Sequence, residues 1–295
     1  MSSGQSDEGD QATRWNGAAG NAWVAAQDVL ENLFRPLEEL LVEEVTAAPG
    51  SRVLDVGCGT GATTLAIARR LGTSSRCVGL DISEPVVTAA RERAEREQVP
   101  VSFIIGDAQE HAFDPGAFDA VVSRFGVMFF PDPVRAFANL RRAAADHALL
   151  RAIAWRGPED NPFMTTAERA AAPLLPDLPV RRADEPGQFG FADADRVGGI
   201  LRESGWSDVD IRPIDVTCVL PEAELVGYFT RLGPVGLRLR EADEQTRAQV
   251  VAKVRPAFDP YVHGADVRFT AACWMLRARA CAQTDHRAAT RGGGQ

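Results

Sequence analysis

The chain is expected to fold as an α/β protein, a mostly parallel sheet with helices on both faces. Short apolar runs alternate with helix-patterned segments along residues 53–155. Three of those runs end in an acid, at Asp55-Val56, Asp81 and Gly106-Asp107, and the first leads into Gly57-Cys58-Gly59-Thr60-Gly61. Pro85 and Pro133 stand where helices are expected to begin, a position that proline's fixed φ favours.

In chain order, residues 1–13 are small, polar and acidic and are expected to be a disordered tail. Residues 14–48 form an expected helical cap, because Leu30, Leu33, Phe34, Leu37, Leu40, Leu41 and Val45 follow the three-four rhythm of an amphipathic helix. Pro36 interrupts that rhythm and predicts a kink, or two helices meeting near Arg35. Pro49-Gly50 ends the helical region and opens the main domain, 49–282.

Strands are expected at 53–56, 77–81, 101–105, 118–123 and 148–155, with helices opening at Ala62 and covering 85–98 and 133–144. Residues 157–191 are rich in Pro, Ala and Gly and read as a lid. A helix over 193–204 ends at Gly205 and precedes a strand at 209–219. A helical insertion at about 222–262 separates it from a last strand at 266–275, and 283–295 is expected to be a second disordered tail.

The glycine turn points to a nucleotide-containing cofactor, since residues without β-carbons let a ligand approach the backbone closely. Asp55 sharpens this reading: its carboxylate would repel a pyrophosphate and attract an ammonium group. Asp81 lies about twenty residues past the glycines, where an acid can accept hydrogen bonds from both ribose hydroxyls. Asp107 stands at the same carboxyl edge of the sheet, where ligands of open α/β sheets bind.

These residues, with Phe118-Asp119-Ala120-Val121-Val122-Ser123-Arg124-Phe125-Gly126-Val127-Met128-Phe129-Phe130, resemble the bacterial small-molecule branch of the class I S-adenosylmethionine-dependent methyltransferases. The resemblance runs from about Trp15 to Arg279 and implies a Rossmann-like, seven-stranded sheet. It implies that Asp55, Gly57, Gly59 and Gly61 surround the methionine part of S-adenosylmethionine and that Asp81 holds the ribose. Ile82 would stack on adenine, Asp107 would accept from the adenine amino group, and the Ala108 amide would meet the ring. Ser123 is counted with the cofactor-binding residues. Where the family carries Pro-Gly-Gly before the fifth strand, this chain reads Ala143-Ala144-Ala145-Asp146-His147, and a longer helix is expected there.

Methyl transfer from a sulfonium depends on in-line positioning and exclusion of water, with a general base required only for a nucleophile of high pKa. His111, just after Asp107, and His263, at the end of the helical insertion, are the candidate bases; a structural histidine and a surface histidine are the competing readings. His147 and His286 read as turn and tail residues. Trp15, Trp23, Arg124, Phe125, Met128 and Phe163 are candidates for the substrate pocket, although core packing alone accounts for the apolar ones. Arg124 ends an apolar strand at the cofactor edge and so needs an acidic partner, a pocket carboxylate being preferred to the substrate.

Two other readings compete. Gly57-x-Gly59-x-x-Ala62 also fits the dinucleotide pattern of an NAD(P)-dependent oxidoreductase, against which stand Asp55 and the lack of a Tyr-x-x-x-Lys pair, Lys253 being the sole lysine. A non-catalytic binding or regulatory protein on the same fold is opposed by the three acids at one sheet edge.

A formal charge of -9 argues against nucleic acid or an anionic membrane as partner and leaves a small-molecule acceptor. Asn161-Pro162-Phe163 lies one strand too late for the signature of nucleic-acid amino methyltransferases. No stretch approaches the roughly 18 consecutive apolar residues of a membrane span, and the polar N-terminus is unlike a signal peptide, so a cytoplasmic location is expected. Five widely spaced cysteines read as reduced, buried thiols, with Cys58 packing inside the turn, and no spacing suggests a metal site. The N-terminal helices are expected either to cap the active site or to pack on a second subunit.

Overall fold

The computed structural model describes residues 11–13, 15–46, 48, 50–179 and 185–281. His286, Pro49, residues 1–10 and the expected tail at 283–295 lie outside the described residues, whereas Gln11, Ala12 and Thr13, assigned above to a disordered tail, are helical.

After that N-terminal helical stretch, α1 (Ala18–Ala25) and α2 (Gln27–Glu44) lead into the sheet. The break between them falls at Ala26, and α2 runs through Pro36 as one element, so the expected division near Arg35 is displaced by nine residues. Proline inside a helix costs about 3 kcal/mol. Leu30, Leu33, Phe34, Leu37 and Leu41 are all buried on α2, each contributing about 1.5–3 kcal/mol, which outweighs that cost.

The chain then runs β1 (Arg52–Val56), α3 (Ala62–Leu71), β2 (Arg76–Asp81), α4 (Glu84–Arg96), β3 (Val101–Ile105), β4 (Phe118–Arg124), α5 (Pro133–Ala143), β5 (Ala144–Trp155), α6 (Pro162–Ala171), α7 (Ala194–Glu203) and β6 (Trp206–Pro221). It ends with α8 (Leu225–Arg231), α9 (Gly233–Leu239), α10 (Glu244–Val254), β7 (Val262–His263) and β8 (Asp266–Ala280). The strand order is β3-β2-β1-β4-β5-β8-β6, with β7 paired to β8 outside that path, so the described sheet holds eight strands, one of them only two residues long. The first five strands pair in parallel and β8 runs antiparallel to both β5 and β6.

The strands are apolar on both sides because both faces are covered. Leu54, Val56, Val121 and Leu150 pack into the larger core, and Val53, Ala120, Val122 and Leu149 pack with Ile67 of α3 on the other face. The chain leaves β1 toward β2 and β3, then returns to place β4 on the other side of β1. Ligands in such sheets bind outside the carboxyl ends of the two strands at that switch point.

Two local expectations are corrected here. The helix before the fifth strand does not run longer: α5 stops at Ala143, β5 starts at Ala144, and His147 adopts a positive φ of 64° in place of the family's glycines. The strand pairing slips between Phe118 and Ala120 to absorb this irregularity. The last two long strands extend beyond the expected 209–219 and 266–275, since they pair with each other along nearly their whole length. Pro213 is accommodated because β6 is an edge strand, where a missing backbone N–H breaks no ladder.

Candidate active site

The turn after β1 sits at the switch point. Gly57 and Cys58 both donate their amides to the Leu80 carbonyl, at 2.8 and 3.1 Å, which binds the turn to the end of β2. Gly57 has φ 67°, and a β-carbon there would come within 2.6 Å of the Gly126 Cα, so the turn and the loop after β4 touch backbone to backbone. Gly61 is the left-handed N-cap of α3, and a β-carbon on it would meet the Phe103 ring at 2.7 Å. Glycine is required there for the helix to pack on the strand.

A cavity of about 470 Å³ opens at this edge. Gly57, Gly59, Asp81, Ile82, Asp107 and Ala108 line it. The Asp81 carboxylate accepts from the Gly59 amide at 2.9 Å and the Ser83 amide at 3.0 Å, so the second acid is clamped to the glycine turn. Burial pushes its pKa up, opposed by those amides. Asp107 accepts from the Gln109 amide at 2.8 Å, an arrangement that orients its other oxygen.

Asp55 lies on the α3 side of β1 and lines a smaller adjoining cavity of about 50 Å³. It is 2% exposed. Its Oδ2 accepts from Thr64 Oγ1 at 2.6 Å, and its Oδ1 is buried without a hydrogen-bond partner. Burial raises its pKa to about 6, against the Thr64 hydrogen bond and the Arg124 charge. An orphaned buried carboxylate oxygen is suited to an ammonium donor, which is the group that the amino-acid end of S-adenosylmethionine carries.

The candidate pocket residues Trp15, Trp23, Arg124, Phe125, Met128 and Phe163 all line the larger cavity. Trp15 stands edge-on to Trp23 at 6.1 Å and to Phe129 at 5.3 Å. Hydrogen bonds hold this segment over the site: Ser83 Oγ donates to the Trp15 carbonyl at 2.7 Å, and the Glu84 amide donates to Asn16 Oδ1 at 2.8 Å. Phe125 stacks on Trp155 with centroids 4.7 Å apart, and Phe34 of α2 stands edge-on to both. Further out, Phe163 of α6 stacks on Phe269 at 3.9 Å and meets Phe258 at 5.2 Å. Tyr228 and Phe229 of α8, Val235 of α9 and Leu232 between the two helices complete the apolar wall.

Four of the expected site residues lie outside the lining of either cavity. His111 is outside the cavity lining: its ring packs on Phe113 at 4.5 Å, and its backbone carbonyl accepts from Asn139 Nδ2 at 2.9 Å. His263 is exposed in β7, paired with Asp266 of β8, and is not among the residues that line the cavity. Ser123 is fully buried and structural, its Oγ donating to the Val56 carbonyl at 2.7 Å and accepting from the Gly126 amide at 3.1 Å. Gly61 stays behind the turn for the reason given above. Cys58 is buried and its thiol is pushed well above its ordinary pKa by burial, consistent with packing. Among the described residues, no group of three or more His, Cys, Asp or Glu is placed to hold a metal ion.

Sequence reasoning missed Phe34, Trp155, Asn16 and Glu38. The first two belonged to apolar patterns that read as core. Glu38 of α2 is the acidic neighbour of Arg124, with Oε2 3.8 Å from Nη2, and lies outside every motif at the sheet edge.

Comparison with known proteins agrees with this geometry. A family model described as a methyltransferase domain matches residues 53–147. Nocamycin O-methyltransferase of Saccharothrix syringae is 33% identical over 239 residues, 75% of this chain and 82% of that protein. A demethylmenaquinone methyltransferase of Renibacterium salmoninarum is 29% identical over 189 residues, covering 61% of this chain and 77% of the relative. Among solved structures, a SAM-dependent methyltransferase from Aquifex aeolicus shares the fold with a TM-score of 0.53 at 16% identity, covering 87% of this chain and 96% of that one. The glycine turn, the three acids and the relative that matches most of the chain lead to one conclusion: this protein belongs to the class I S-adenosylmethionine-dependent methyltransferases.

Proposed function

We propose that the enzyme methylates a small, largely apolar metabolite with flat or aromatic character. The observation that carries this reading is one cavity lined both by Asp81 and Asp107 and by the aromatic side chains of Phe34, Trp155, Phe163 and Phe258. Related enzymes act in the same chemical territory, among them nocamycin O-methyltransferase, aklanonic acid methyltransferase and 2-phytyl-1,4-naphtoquinone methyltransferase. A net charge of -9 fits a small acceptor better than a nucleic acid.

Bound S-adenosylmethionine supplies an electrophilic methyl group on a cationic sulfur. The chain's own part is binding, orientation and exclusion of water. Asp55 would take the ammonium, Asp81 the ribose hydroxyls, and Asp107 with the Ala108 amide the adenine, with Ile82 against the ring. The described helices within residues 14–48 would cap the site, while the described parts of the segment at about 157–191 and the insertion at about 222–262 would form the lid and outer wall. Aromatic walls exclude water and hold a planar acceptor by its faces. A cytoplasmic bacterial enzyme fits the five free cysteines and the bacterial relatives.

Calorimetry with S-adenosylmethionine and S-adenosylhomocysteine, NADH serving as control, tests the cofactor assignments; an acceptor screen of polyketide and quinone scaffolds read by a 14 Da mass gain, about one methylene, tests the substrate. Tight S-adenosylhomocysteine binding with methyl gain on an aromatic scaffold is expected. Turnover only of charged, sugar-like or peptide acceptors would overturn the apolar assignment.

A further inference from the structure

The small cavity beside the glycine turn is bordered by charges of opposite sign. Asp55, Glu31 and Arg124 line it, together with Gln27, Thr60 and Thr63, and Glu31 is already engaged by the Arg93 guanidinium and by Thr60 Oγ1, which donates to it at 3.3 Å. It shares Gly57, Gly59, Phe125 and Arg124 with the larger cavity, so the two are neighbouring parts of one site. A ligand group suited to both charges carries an ammonium for Asp55 and an anion for the guanidinium. An α-amino acid is such a group.

Arg124 is built to keep its fork available. Its side chain is 15% exposed, and its Nε donates to Thr63 Oγ1 on α3 at 3.1 Å. Glu38 approaches Nη2 from α2 and stops at 3.8 Å, outside hydrogen-bond distance. Guanidinium has five N–H donors in one plane, and a carboxylate satisfies two of them at once. Burial lowers the pKa of Arg124 against the charges of Glu38, Asp55 and Glu31, and burial raises that of Glu38 against the charge of Arg124.

We propose that Arg124 binds the carboxylate at the amino-acid end of the cofactor, and that Glu38 is a positioning residue that aims the guanidinium from the N-terminal helices. The inference rests on the methyltransferase assignment for the identity of the ligand and adds two residues of this chain to its recognition. It ties cofactor binding to α2, a segment outside the sheet. It also withdraws Arg124 from the acceptor pocket, where its position after β4 had suggested it.

The test uses two ligands: S-adenosylhomocysteine and 5′-deoxy-5′-(3-aminopropylthio)adenosine, which lacks only the carboxylate. Calorimetry is run on the full chain and on Arg124→Gln, Arg124→Lys, Glu38→Ala and Glu38→Gln, each checked for native circular dichroism. Arg124→Gln is expected to weaken S-adenosylhomocysteine roughly 30-fold, the scale of a lost charge-assisted bidentate pair, and to change the decarboxylated ligand by less than about 3-fold. Arg124→Lys keeps the charge without the fork and is expected to fall between, which preserves the test should the glutamine variant misfold. Glu38→Ala is expected to reduce discrimination between the ligands about 5-fold, with Glu38→Gln restoring it. Equal weakening of both ligands in Arg124→Gln overturns the proposal, as does a raised acceptor KM with unchanged S-adenosylhomocysteine affinity. Absence of any adenosine-ligand binding by the parent chain would overturn the cofactor assignment itself.

Discussion

Thr64 and Asp55 form a hydrogen-bonded pair across the first turn of α3 and the end of β1, with Thr64 Oγ1 donating to Asp55 Oδ2 at 2.6 Å inside the core. The other oxygen of the carboxyl, Oδ1, is buried and unpaired. The protein thus maintains a costly acid where the cofactor's ammonium is expected to arrive, and half of its hydrogen-bonding capacity is provided by the fold.

Asp55 should therefore weaken the unliganded protein at neutral pH. Its folded pKa of about 6 lies above the ordinary 3.8, so its contribution to stability is greatest below the lower value and is lost as pH rises through 6. Asp55→Asn is expected to stabilise the unliganded protein at pH 7 by about 1–3 kcal/mol while reducing S-adenosylmethionine affinity at least about tenfold. Thermal melts from pH 5 to 8 check it: the parent chain's midpoint should decline relative to the variant's across that range, and a constant difference would contradict the assignment.

Asp81 is held by two amides and faces the cavity. Asp81→Ala removes both the proposed ribose acceptor and the anchor of the Gly59 amide. S-adenosylhomocysteine affinity should fall roughly 100-fold or more, since two hydrogen bonds to a charged group are lost. Retained binding by calorimetry would place the ribose elsewhere.

The close approach of Gly57 and Gly126 leaves no room for a methyl group. A β-carbon at Gly126 would lie 2.5 Å from the Val56 carbonyl and 2.8 Å from the Gly57 Cα. Gly126→Ala should cost roughly 1–3 kcal/mol, the usual scale of overpacking, and should displace the glycine turn with a loss of cofactor affinity. Denaturant unfolding and calorimetry on the same preparation would show both effects; an unchanged midpoint would mean that the two loops move apart freely.

The two histidines expected as bases should be dispensable for the chemical step. His111 packs against Phe113 and His263 is exposed in β7. His263→Gln is expected to leave kcat and its pH profile unchanged within about twofold, as an exposed surface substitution usually does. A kcat loss of tenfold or more, measured with a turned-over acceptor, would restore it to the site.

Phe163 should matter to both the fold and the acceptor. It is 2% exposed and stacks on Phe269. Phe163→Ala should cost about 3–5 kcal/mol of stability and raise acceptor KM while leaving S-adenosylhomocysteine affinity near the parent value. A change confined to the cofactor's affinity would contradict the division of the cavity.

The sequence by itself determined the α/β class, the alternation of elements and the acids at one edge of the sheet. Strand and helix periods are local, and the glycine turn is a contiguous motif, so Asp55, Gly57, Gly59, Asp81 and Asp107 were legible before any packing was known. Tertiary structure alone decided which residues behind those motifs face the cavity. Ser123 and Gly61 lie within the motifs yet spend their chemistry on a backbone staple and on Phe103, whereas Glu38 reaches Arg124 from a helix 86 positions away in sequence. Residue spacing specifies neighbours along one element, and no such period relates α2 to the end of β4. Their juxtaposition follows from burying the apolar faces of Leu37 and Leu41 on the sheet, a collective result of packing that no single segment encodes.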